Sequence, residues 1–374
     1  MFISPMSRTA DRALLGIEDP EKAAEPQQPE KGSEMEGVDT LEKGSVEPPT
    51  HTVKSDRGEY RGLWTRRLSR DGLRHNRRHT MTVSDDFSAF NDACKIPTVK
   101  ISSIANRYQR ITRQLNRDFW TTESETAHSL YTGSYGRDTA ARGISDLDMG
   151  FALPVTLYDQ YRNHAGNGPS QLLQAVRRSM QKTYPTSDVA GDGQVVVIQF
   201  DDNVRFEVLP AFPHADGSSW IYPNANAGGS WKVCNPRAEI AAVETRNQAT
   251  NRNLKRMCRM ARVWRDCCSV PMSGMLIDTL AYQFIEKYEH REKSFTYYDY
   301  IFRDFFAYVA GQDPKQTIWR APGSASHVYR TGVFEFKARS AELRAREAVT
   351  DDQAGREWSR RQKWRQVFGP TYTG

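Results

Sequence analysis

The stretch that most constrains this 374-residue chain is Ser145-Asp146-Leu147-Asp148-Met149, two acids one residue apart at the head of an apolar run that ends at Pro154. In a strand, residues i and i+2 share a face. Asp146 and Asp148 therefore stand side by side while Leu147 and Met149 face the other way. Adjacent carboxylates repel and cost stability unless a cation sits between them. Hard oxygen donors of this kind suit magnesium or manganese bound together with phosphates.

The flanking sequence fits that chemistry. Upstream stands Gly133-Ser134-Tyr135-Gly136-Arg137-Asp138-Thr139. A Gly-Ser pair that closes a strand and opens a short helix offers backbone N–H groups and a hydroxyl to a phosphate. Downstream, Arg205-Phe206-Glu207-Val208-Leu209-Pro210 alternates so that Glu207 shares a face with Arg205 and Leu209. If this strand lies beside that of Asp146 and Asp148, Glu207 completes a three-carboxylate, two-metal site. Asp201 and Asp202 are the fallback ligands, although with Asn203 they read as a hairpin turn.

Around these motifs the chain reads as an α/β lobe followed by an all-α lobe. Apolar residues three and four apart from Ile101 to Phe119 predict a helix over 99–120. Strands are expected at 128–131, 147–153, 195–200 and 204–209, with a helix at 170–183. Beyond Pro236, helices are expected at about 238–266, 273–290, 297–311 and 334–366. In the first of these, Lys255, Arg259 and Arg262 recur on one face, and such a stripe suits a triphosphate or plain solvent. Trp220, Tyr222 and Trp231 fall in a Gly/Asn/Pro-rich stretch, read as a loop whose rings either stack on a base or pack against the fold.

Composition bounds the rest. The net charge of +6 is unevenly spread: residues 1–50 carry five Lys/Arg against eleven Asp/Glu, and residues 51–80 nine against three. With six of the 18 prolines in 1–50, the expectation is an extension over 1–80 without a packed core. Its basic run, Arg66 to Arg78, reads as a solvated arm or a nucleic-acid contact; a start at Met81 is the other option. The opening residues do not read as a secretory signal, and no apolar run reaches the roughly 18 residues of a membrane span. Five cysteines without a CxxC pair argue against a disulfide framework or a zinc site and for a reducing, cytoplasmic setting.

Taken together, Gly133-Ser134, Ser145-Asp146-Leu147-Asp148 and Phe206-Glu207-Val208-Leu209-Pro210-Ala211-Phe212 resemble the polymerase-β-like nucleotidyltransferases. They are most similar to the bacterial cGAS/DncV-like group, the CD-NTases of antiphage CBASS systems. The resemblance runs from about Met81 to Gly369 and includes Asn235-Pro236 and the ending Trp364-Arg365-Gln366-Val367-Phe368-Gly369. It implies an α+β fold: a catalytic lobe with a mixed sheet over 81–235, a helical lobe over 236–369, an active site in the cleft between them, and a flexible tail over 370–374. It implies that Asp146, Asp148 and Glu207 hold two magnesium ions, with manganese as a substitute, although the wider family usually has Asp where Glu207 stands. It further implies that Gly133 and Ser134 hold phosphates of a nucleoside triphosphate such as ATP, with Arg259 or Arg262 in the place of a family lysine and Ser273 as a second phosphate contact. The product would be a cyclic di- or trinucleotide messenger that acts on a downstream effector. Gly374 would suit conjugation by an E1/E2-like ligase. An RNA-tailing enzyme of the same superfamily and a non-catalytic nucleic-acid sensor are the rival readings.

Overall fold

The computed structural model describes residues 81–374. The expectations for 1–80, disordered extension and basic arm alike, lie outside the described residues.

Two helices open the fold, α1 (Val83–Cys94) and α2 (Thr98–Trp120). A reciprocal capping box starts α1: the Thr82 hydroxyl accepts from Asp85 N–H, and the Asp85 carboxylate accepts from Thr82 N–H. Next come β1 (Ser129–Tyr131), the one-turn helix α3 (Gly133–Gly136), β2 (Asp146–Ala152), α4 (Thr156–Arg162) and α5 (Gly168–Thr183). Five strands come next: β3 (Asp188–Asp192), β4 (Val195–Gln199), β5 (Arg205–Pro213), β6 (Trp220–Asn224) and β7 (Ser230–Cys234). Among the described residues these seven strands form one mixed sheet, in the order β1-β2-β5-β4-β3, with β6 pairing the end of β5 and β7 pairing β6. β2 and β5 run parallel, while β1/β2, β4/β5 and β3/β4 are antiparallel.

Alternation along β2 and β5 divides the sheet into two faces. Leu147, Met149, Phe151, Phe206 and Val208 are buried on one side beneath Ile104, Ile111 and Leu115 of α2 and Leu172, Val176 and Met180 of α5. Each such side chain, taken wholly out of water, contributes about 1.5–3 kcal/mol. With that face filled by hydrocarbon, the alternate residues Asp146, Asp148, Arg205 and Glu207 are turned to the other.

The helical part comprises α6 (Pro236–Ala249), α7 (Asn253–Cys267), α8 (Gly274–Ile285), α9 (Tyr298–Ala310), α10 (Glu335–Gln353) and α11 (Glu357–Phe368), with a small hairpin of β8 (Ile318–Arg320) and β9 (His327–Tyr329). Two long expected helices are each broken in two. Asn251 and Arg252 adopt left-handed backbone between α6 and α7, and Gly355 does so between α10 and α11. The division into lobes also differs from the expected 81–235 and 236–369. α1 packs in the helical core, where Phe87 stacks on Phe302 with centroids 6.0 Å apart and Phe90 meets Phe368 at 4.5 Å.

The expected flexible tail over 370–374 is corrected. Tyr372 is 1% exposed, its ring is 5.3 Å from that of Phe90, and Gly374 is buried against Asp86. An aromatic residue two positions from Gly374 anchors the segment, so conjugation at Gly374 would first require it to leave the core. The loop expected around Trp220, Tyr222 and Trp231 is also corrected, because all three lie in β6 and β7. Trp220 and Tyr222 are buried, and Trp231 packs edge-on to Tyr158 and Phe212, so these rings serve the core rather than a base. Cys94, Cys234 and Cys258 are buried as free thiols, in keeping with their reading as small hydrophobes. Among the described residues, no helix is long and apolar enough to cross a membrane.

Candidate active site

The β2–β5 register sets Asp148 opposite Glu207 and Asp146 opposite Arg205. The three predicted carboxylates thus come from neighbouring parallel strands onto one face. Asp146 stands at the open end with 61% of its side chain exposed, while Glu207 keeps 13%. Burial, and after it the charge of Glu207, pushes the Asp148 carboxyl up to about 7, against a smaller opposing pull from Arg137. Gly133 lies against this acid: at φ +56 its backbone is left-handed, and a Cβ there would run into the Asp148 carboxylate. Glycine is required at this place both for the turn and for the close approach.

Arg205 is not marked out by its sequence neighbourhood as a site residue, yet it forms an ion pair with Glu207 and reaches to 3.9 Å from Asp146. Among the described residues, no cluster of three or more His, Cys, Asp or Glu side chains converges closely enough to cage a metal as placed. The donor set nonetheless suits one. Three hard oxygen ligands on one face, one of them buried beside another acid, are a costly arrangement that a cation relieves, and here the Arg205 guanidinium supplies positive charge. Asp201 and Asp202, the fallback ligands, fall in the β4–β5 turn, where Asp202 pairs with Arg107 at 3.0 Å. Asp146 and Arg205 also line a polar cavity of about 650 Å³ with Ser187, Asp188, Gln199 and Asp201.

The predicted contacts from the helical part separate into two groups. Arg259 does reach the α3 turn: it donates to the Asp138 carbonyl at 2.7 Å and to its carboxylate at 3.2 Å, and Lys255 stands 3.5 Å from that carboxylate. Arg262 and Ser273 do not present themselves to a ligand, and the expectation for both is corrected. Ser273 is 1% exposed and is the N-cap of α8, its hydroxyl accepting from Leu276 N–H at 3.1 Å. Arg262 is buried and donates to Asp278 Oδ2 at 2.8 Å and to the Gly274 carbonyl at 3.0 Å. A charged group in such a place is held by its partners.

That ion pair belongs to a larger buried network that sequence pattern does not reveal. Arg137, at the end of α3, donates to Asp278 Oδ2 at 3.2 Å and to Glu239 Oε2 at 3.0 Å. Thr139 donates to the same Asp278 oxygen at 2.7 Å. Burial pushes the Asp278 carboxyl up, but Arg262 and Arg137 outweigh it and hold it below the usual range. For Glu239 burial wins over Arg137, and its carboxyl is raised. The one signal in the sequence is Asp278 itself, the single charge in the apolar helix Gly274–Ile285, a position where an acid is rarely fully buried unless paired.

Comparison with known proteins bears on the fold. Residues 81–247 match the model of the Second Messenger Oligonucleotide or Dinucleotide Synthetase domain. No curated protein matches the sequence. Among solved structures, the chain is similar to the Escherichia coli MS115-1 CdnC in complex with a HORMA protein, at 15% identity and TM-score 0.57, covering 78% of this chain and 98% of that one. It is likewise similar to the Bradyrhizobium diazoefficiens CD-NTase CdnG in complex with GTP, at 14% identity and TM-score 0.55, over 78% and 96% of the two chains. Vibrio cholerae DncV in its GTP-bound form shares 15% identity at TM-score 0.52, over 78% of this chain and 86% of that one. Residues 81–247 are thus similar to the Second Messenger Oligonucleotide or Dinucleotide Synthetase domain, and the chain shares the fold of the CdnC, CdnG and DncV structures.

Proposed function

We propose that this protein joins nucleoside triphosphates into a cyclic di- or trinucleotide second messenger, with release of pyrophosphate, and that the messenger serves antiphage signalling through a downstream effector. The observation that carries the reading is the parallel register that brings Asp148 and Glu207 opposite each other, with Asp146 beside them and Gly133 pressed against Asp148. Magnesium or manganese would be held by Asp146, Asp148 and Glu207. When bound, such ions supply charge stabilisation of the transferring phosphoryl group and activation of the attacking hydroxyl.

The chain's own residues do the positioning. Gly133 and Ser134 hold the triphosphate by backbone N–H groups and the Ser134 hydroxyl. Arg259 and Lys255, which flank Asp138 at the end of the same turn, add positive charge for the phosphates. Arg205, paired with Glu207 and 3.9 Å from Asp146, offsets part of the charge of the acids. No separate general base is assigned, so the acceleration comes from orientation and charge stabilisation. The DncV and CdnG structures contain GTP, which supports a nucleoside triphosphate as the ligand here.

The test uses the full chain with ATP, GTP, CTP and UTP, radiolabelled in turn, and magnesium or manganese. Phosphatase treatment, chromatography and mass spectrometry complete it, beside an Asp146→Ala/Asp148→Ala control. A phosphatase-resistant small product absent from the control supports the reading. A long ladder on added RNA would replace it with a tailing enzyme, and absence of pyrophosphate under every condition, phage lysate included, would replace it with a non-catalytic sensor.

A further inference from the structure

The Gly133–Gly136 turn has only four residues and no side-chain cap at its N-cap, Thr132. Its shape is therefore set by the residues just C-terminal to it. The Gly133 carbonyl accepts from Arg137 N–H at 3.1 Å, and the Ser134 carbonyl accepts from Thr139 N–H at 2.9 Å and Ala140 N–H at 3.1 Å. Arg137 and Thr139, the two residues that clamp successive carbonyls of the turn, both end their side chains on Asp278 Oδ2 of α8. Arg262 of α7 donates to that same oxygen and to Thr139 Oγ1 at 3.3 Å. Arg137 is tied in addition to Glu239 of α6, whose other oxygen accepts from Ser324 at 2.9 Å.

Arg137, Thr139, Arg262, Asp278 and Glu239 are all nine-tenths or more buried. Two acids and two guanidiniums balance in charge. Three donors converge on one carboxylate oxygen, so a displacement of Asp278 is passed directly to both clamps of the turn. A bridge placed only for stability had no reason to run through the two residues that fix the Gly133 and Ser134 carbonyls.

We infer that Thr139 and Asp278 are positioning residues, which hold the peptide groups of Gly133 and Ser134 at the angle needed to bind the terminal phosphates and so couple the helical part to the phosphate-holding turn. The inference rests on the reading of that turn as the triphosphate cradle. It places neither residue in contact with substrate. The hydroxyl of Thr139 is the informative handle, because valine keeps its shape and serine keeps its hydrogen bond.

The experiment measures equilibrium binding of AMP and of the non-hydrolysable α,β-methylene ATP, and of the guanosine pair, to full-length wild type, Thr139→Val, Thr139→Ser and Asp278→Asn, with melting temperatures alongside. Wild type is expected to gain affinity from mono- to triphosphate. Thr139→Val is expected to lose that gain by about tenfold or more with monophosphate binding unchanged, as small misplacements near a reacting centre do, and Thr139→Ser to restore it. Asp278→Asn is expected to repeat the loss, and it decides the matter if Thr139→Val does not fold. Retention of the gain in both variants, or equal weakening of mono- and triphosphate, overturns the inference and leaves the cradle standing. No gain in wild type overturns the cradle and the inference with it.

Discussion

Two groups of charges in this protein behave in opposite ways. On the sheet face, Asp146, Asp148 and Glu207 stand with Arg205, which pairs with Glu207, and Asp148 is raised to about 7 by burial and the neighbouring acid, against a smaller pull from Arg137. In the network beyond α3, Arg137, Arg262, Asp278 and Glu239 are matched two against two and buried. The first arrangement leaves negative charge for a ligand to neutralise. The second is neutralised internally, so its charges bind the protein's own helices and turn rather than a ligand directly. Residue type is the same in both, and surroundings alone decide whether an acid binds a ligand or its own fold.

The sharpest way to break this comparison is to remove the acids of the sheet face. Asp146→Ala/Asp148→Ala is expected to lose nucleotidyl transfer by about a thousandfold or more, since charge stabilisation worth several kcal/mol goes with them, without a fall in melting temperature. A pyrophosphate-release assay measures it, and retained turnover would move the chemistry elsewhere. Gly133→Ala is expected to act nearly as strongly, because its Cβ would meet the Asp148 carboxylate and its φ of +56 is unfavourable for alanine.

Opposite behaviour is expected from the network. Asp278→Ala leaves Arg137 and Arg262 buried with an acid too few, and breaking a buried pair in this way costs about 3–5 kcal/mol. Urea denaturation of the full chain reads this directly, and a loss below about 1 kcal/mol, the range of exposed pairs, would show that water or rearrangement satisfies the site. In chelating buffer, by contrast, Asp148→Asn is expected to stabilise the fold by about 1–3 kcal/mol, by removing an ionised group that burial and Glu207 disfavour. The two acid substitutions thus carry opposite signs.

The sheet face was legible because it is local. A period of two puts Asp146 with Asp148 and Glu207 with Arg205 within single strands, and an acid inside Phe-Glu-Val-Leu marks a face the core does not own. The turn at Asp201 to Asn203 was legible for the same reason. What the sequence left open was the identity of partners far along the chain. Arg137 meets Asp278 and Glu239 at separations of 141 and 102 residues, and periodicity names a helix's apolar side without saying what covers it. The stripe of Lys255, Arg259 and Arg262 shows the limit: Arg259 faces the α3 turn, whereas Arg262, one turn on, is already inside the protein. α1 joined the helical core and Trp220 joined a strand on the same account, since both depend on long-range packing rather than local pattern.

A third acid tests the rule at its weakest point. Asp299, in the first turn of α9, is 3% exposed, and burial raises its carboxyl to about 6, against a smaller opposing effect of the Tyr300 N–H that it accepts at 2.8 Å. It lies outside both the sheet face and the paired guanidiniums of the network. Its folded pKa lies above its ordinary 3.8, so below that value both states carry the proton and nothing is lost. Between 3.8 and about 6 the unfolded chain ionises while the folded one keeps its proton, and stability falls; above about 6 the whole penalty is present. Asp299→Asn keeps an acceptor for Tyr300 and removes the charge, so it is expected to stabilise the protein at about pH 8 by about 1–3 kcal/mol and to leave it unchanged below the ordinary carboxylate range. Melting curves of the two proteins across that range measure the difference. A gain in acid as large as the gain in base would assign the effect to packing, and a loss in base would mean that Asp299 has a cationic partner and belongs with the network.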